Sequence, residues 1–109
     1  MVDTFKIKTG DTAPQFRARC LDGTAPVSLA TATLVRFLMK RAGAVVLAGA
    51  MVVEDQTANT GWVHRNWGLT DTATIAAYQG EVEVTWSDGT VQTFPAEGYV
   101  SILVTGDLG

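Results

Sequence analysis

KIKTGDTAPQFRAR, residues 6 to 19, decides how this chain folds. Lys6-Ile7-Lys8 and Phe16-Arg17-Ala18-Arg19 both alternate apolar with charged side chains, the two-residue period of a half-buried strand. Between them lies Gly10-Asp11-Thr12-Ala13-Pro14, which either cradles a ligand or bends the chain. A phosphate-binding loop feeds a helix N-terminus, whose unpaired N–H groups hold the anion. Here a second strand pattern follows, Pro14 removes a ladder donor and Gly10 provides a joint. The break therefore reads as a bend at which the first strand leaves one sheet and enters another. Two sheets are required.

Outward from the bend the same period persists. Val35, Phe37 and Met39 alternate with Leu34, Arg36, Leu38 and Lys40. Val82, Val84 and Trp86 alternate with Glu81, Glu83 and Thr85, and Val100, Ile102 and Val104 with Tyr99, Ser101, Leu103 and Thr105. Asp22-Gly23 and Asp88-Gly89 are hairpin dipeptides, tolerant of the positive φ that tight turns demand. Arg41-Ala42-Gly43 separates two apolar runs, and QTANTG (56 to 61) is a polar loop. The run AGAVVLAGAMVV, 42 to 53, is too short to span a bilayer and reads as a buried strand. TDTATIAA, 70 to 77, admits a short helical turn. Together these imply an all-β, immunoglobulin-like antiparallel β-sandwich of about seven to nine strands. Tyr78, at a strand start two residues before Gly80, occupies the place where such sandwiches tie a corner with a tyrosine hydroxyl.

With 109 residues the chain makes one domain, 1–109, with a single core. Its net charge of −3 speaks against nucleic acid as a partner, since phosphate binding needs a basic surface. No membrane partner is expected, and the alternating, Asp3-containing start does not resemble a secretion signal. One cysteine, Cys20, cannot close an internal disulfide, which fits a cytoplasmic origin. Charge is split along the chain: residues 1 to 41 carry seven Lys/Arg and three Asp, residues 42 to 109 one Arg and eight Asp/Glu.

Catalytic chemistry is missing. His64 is the single histidine, and neither Ser28, Ser87 nor Ser101 sits in a nucleophile-elbow context. One His and one Cys cannot build a zinc site. Glu54 and Asp55 are adjacent strand residues and point to opposite faces. The chain reads as a non-enzyme with no cofactor and no metal. Cys20, Trp67 and Trp86 fall on core faces. Trp62 falls on the other face, where it either packs under a loop or anchors a sugar or protein partner.

Three stretches carry a family resemblance: GDTAP (10 to 14), VSLATATLVRFLM (27 to 39) and SDGTVQTFPAEGYVSILV (87 to 104). They resemble the immunoglobulin-like N-terminal domain of the phage baseplate upper protein. That resemblance implies a structural virion protein of a tailed bacteriophage, made in the host cytoplasm, that docks on other tail, baseplate or head proteins and on copies of itself. A minor tail protein or a capsid decoration protein fits equally, and a glycan-binding adhesion module through Trp62 is the alternative from another class. For docking, Arg36 and Lys40 are expected to face Glu81 and Glu83 across one solvent side. Leu34 and Leu38 share that side and would form the middle of the patch.

Overall fold

The break at Gly10–Pro14 is a sheet switch. A computed structural model describes residues 4–68, 70–96 and 98–106, and within them the chain is all β. In chain order the strands are β1 Thr4–Lys8, β2 Phe16–Arg19, β3 Leu21–Asp22, β4 Ala25–Pro26, β5 Ala32–Arg41 and β6 Ala44–Ala50. They continue as β7 Val52–Val53, β8 Trp62–Arg65, β9 Ala76–Trp86, β10 Val91–Phe94 and β11 Val100–Thr105. The larger sheet runs β1-β11-β9-β5-β6, with β10 also paired to β9, and the smaller runs β2-β8-β7. β3 and β4 form a separate hairpin at Asp22-Gly23. β1 and β2 thus lie at the edges of different sheets, as the bend requires. All pairings are antiparallel except β1 with β11, which are parallel from Thr4↔Ser101 to Lys8↔Thr105.

The inner faces meet in one core. Ile7, Phe16, Cys20, Phe37, Met39, Val63, Val82, Val84, Ile102 and Val104 are all buried within it. At its centre the rings of Phe16 and Phe37 lie 4.9 Å apart, and Trp67 meets Phe37 edge-on at 5.8 Å. The segment 70–75 forms turns and bends with no helical turn, 76–77 already belong to β9, and the turn residues clasp the bend. Thr72, fully buried, donates its hydroxyl to the Asp11 carbonyl at 2.9 Å and accepts from the Gly10 N–H through its own carbonyl at 3.1 Å. Trp67 Nε1 donates to the Pro14 carbonyl at 3.0 Å. The Gly10 N–H and the Asp11 and Pro14 carbonyls, which lie outside any strand at the bend, thus find partners. The tyrosine corner is present too: Tyr78, 5% exposed, donates its hydroxyl to the Thr74 carbonyl at 2.9 Å.

One sequence expectation fails. The apolar run 42–53 is not a buried strand. It supplies β6, the edge of the larger sheet, then turns at buried Met51 and supplies β7, the edge of the smaller. Val45, Val46, Val52 and Val53 are all exposed. Sheet order explains the error: hydropathy measures side chains, whereas burial of a strand depends on having neighbours on both sides.

Candidate functional site

Three places could do work. The first is the outer face of the larger sheet. Arg36 lies directly across from Glu83 and donates to its Oε1 from Nη2 at 2.6 Å. Lys40 reaches Glu81 at 2.9 Å. The expected cross-strand pairs therefore form. These are part-exposed pairs of modest strength, each contributing about 0.2–1 kcal/mol. Leu34 is exposed beside them, but Leu38 is only 9% exposed. It sits opposite Glu81 on one side and Ala48 on the other, between the two ion pairs. The proposed pair of exposed leucines is thus a single exposed Leu34, because the long charged side chains cover their neighbour.

The second place surrounds Trp62. Arg17 on β2 lays its guanidinium 3.9 Å from the ring centroid, and Arg19 lies at 5.4 Å. Arg17 also grips Glu54 bidentately, donating from Nε and Nη2 at 2.9 and 2.8 Å. His64 Nδ1 lies 3.1 Å from the same carboxylate. The Arg17 guanidinium, chiefly, holds the Glu54 carboxyl down at about 2, against an ordinary 4.5. Trp62 is half-buried with arginine stacked on it, so its ring is not a bare platform. Behind this station, where β1 and β2 diverge, a cleft of about 730 Å³ opens between the sheets. Phe5, Phe16, Val82 and Phe94 contribute to its lining, together with Arg19 and Tyr99. Cys20 also faces it, with its thiol pushed up to about 11 by burial. A protonated buried thiol beside apolar rings is packing, not a nucleophile.

The third place is the edge formed by residues 44–53, which sequence reasoning missed as a surface. Between Arg41 and Glu54 the chain holds no charged residue and no proline. Native edge strands are normally blunted by such residues, because their free N–H and C=O groups invite another strand. The opposite side of the sandwich is blunted in that way: exposed Lys6 and Lys8 stand on β1, Arg17 and Arg19 on β2, and the short, uncharged β10 is stopped by Pro95. The valine edge has one protective device, a bulge where Met39 pairs Leu47 and Lys40 pairs Val45. Beyond it, Leu47–Ala50 run in regular register with Arg36–Met39. From the inner side Arg65 braces this stretch. Its guanidinium occupies the space a side chain at Gly49 would need, with Cζ 2.8 Å from that position. It donates to the Ala50 carbonyl at 3.2 Å and to Asp71 at 3.0 Å. The edge is thus tied to a residue of the other sheet.

No family model matches the chain, and no curated protein matches it. Among solved structures, the crystal structure of CopC from Methylosinus trichosporium OB3b is similar to it with a TM-score of 0.52 and 12% identity, covering 99% of this chain and 87% of that one. The likeness establishes the β-sandwich fold. It also corrects the family resemblance: the full-length match is to CopC, not to a baseplate protein. The reading as a bacteriophage virion protein, whether of tail, baseplate or capsid, is withdrawn, and with it the adhesion alternative and the virion location.

Proposed function

We propose that this chain is a non-enzymatic binding module that takes up an extended segment of a protein partner along the edge 44–53. One observation carries the reading. A neutral, proline-free edge with four exposed valines lies at the margin of both sheets, while the opposite margin is guarded by four cations on β1 and β2 and by Pro95 after the short β10. Strand addition supplies main-chain hydrogen bonds for affinity and alternating side-chain contacts for selectivity. A solubilised synthetic strand carrying the sequence of residues 44–50 between terminal lysines should bind saturably. It should also slow hydrogen exchange of β6 amides, and Val46→Lys with Ala48→Lys should remove both effects. Binding without protection at β6, or protection unchanged in that variant, would place the contact elsewhere.

The likeness to CopC, a copper-binding protein, raises a second reading. The donors of this chain do not fit it. A protein copper site draws on several converging imidazole or sulfur ligands. Here the single imidazole, His64, leans on Glu54. Cys20 is fully buried, and Met39 and Met51 are 2% and 8% exposed within the core. Among the described residues no three His, Cys, Asp or Glu side chains converge. The scaffold is shared; the copper chemistry is not supported.

A further inference from the structure

Resting on the strand-addition reading, we infer that the occupant of the edge 44–53 is a second copy of this chain, paired antiparallel about a two-fold axis. Three observations point there. First, the neutral edge is bracketed by charges of opposite sign. Arg41 ends β5 just before the turn into β6, and Asp55 follows β7, both exposed. Neither takes part in an ion pair among the described residues. Antiparallel self-pairing brings each copy's Arg41 end toward the other's Asp55 end, and a parallel arrangement would set like beside like. Second, the cationic margin of β1 and β2 offers the valine edge no apolar counterpart, and the remaining edge strand there, β10, is four residues long and stopped by Pro95, so head-to-tail stacking of copies is disfavoured. The association closes as a dimer instead of growing into a filament. Third, the regular part of β6 is built of small residues, Ala48, Gly49 and Ala50, beside Leu47. Small side chains let two sheets abut without a steric barrier, and Arg65 keeps that stretch in place from behind.

Sedimentation velocity on the purified chain tests this. A monomer–dimer equilibrium is expected, with no larger species. Arg41→Asp and Asp55→Lys should each weaken it roughly fivefold or more, because the two-fold repeats every contact. The double variant should regain the wild-type dimer. Circular dichroism should be unchanged throughout, and so should the melting temperature measured at a dilution where every variant is monomeric, since both positions are exposed. If the chain stays monomeric while the synthetic strand still protects β6, the second-copy assignment falls and the edge reading stands. Failure of both sinks both. A dimer indifferent to the charge swaps, or one that grows without limit, also overturns the assignment.

Discussion

Glu54 shows how much one carboxylate can organise. It joins Arg17 of β2 to His64 of β8 and so ties the two strands together on their outer face. Its carboxyl is held at about 2, below the ordinary 4.5, so the folded state favours the ionised form. A depressed acid contributes stability that is fully present above the unfolded value and is lost as pH falls through the folded one. Melting temperature should therefore drop between pH 4.5 and about 2. In Glu54→Gln that part of the slope should flatten, and an unchanged slope would mean the contact contributes nothing in solution. Spacing alone gave no sign of this contact. Glu54 and Asp55 read as a spoiled carboxylate pair, and the partners of Glu54 lie 37 and 10 positions away. Tyr78 was legible for the opposite reason, because its acceptor at Thr74 is four residues away and travels with the local pattern.

Among the elements, the β5–β6 hairpin carries a conformational cost at its tip. Ala42 adopts φ 52° and Gly43 φ 81°, with Arg41 paired to Ala44 across a two-residue turn. Two successive positive φ values suit Asn-Gly, whereas an alanine there costs roughly 1 kcal/mol. Ala42→Asn should therefore raise stability by about 0.5–1 kcal/mol in denaturant unfolding with an unchanged m-value. A loss of stability would show that the turn is not of this type. The hairpin itself is plain in the sequence, since Ala42-Gly43 interrupts two apolar runs. The position of its second strand is not. Apolar or small residues, Ala, Gly, Val and Leu47, fill both faces of 44–50, so no apolar–polar alternation records which face is wet or whether a further strand lies alongside. Alternating Val35, Phe37 and Met39 of β5 could be assigned to the core directly, and they are there.

For the whole molecule, the sheet switch at Gly10–Pro14 was readable because the residues that force it are contiguous. Strand order and the clasp from Thr72 were not, since both depend on contacts made across most of the chain. A ligand that binds only the folded state raises the melting temperature of the whole molecule by mass action. Excess Cu(II), and Cu(I) under reducing conditions, should leave the melting temperature unmoved. A saturable rise with one metal per chain would restore a metal-binding role and refute the donor argument. The parallel pair β1–β11 has a consequence of another kind. Thr4 begins one strand and Thr105 ends the other, so traction applied at these two residues pulls the strands lengthwise past each other. All five registered pairs then share the load, instead of parting one after another as in a peeled hairpin. Forced unfolding is set by the rate of leaving the folded state. The one parallel seam among the described residues is thus a mechanical clamp, and a tether anchored at Thr4 and Thr105 would hold under tension that strips open an ordinary antiparallel edge.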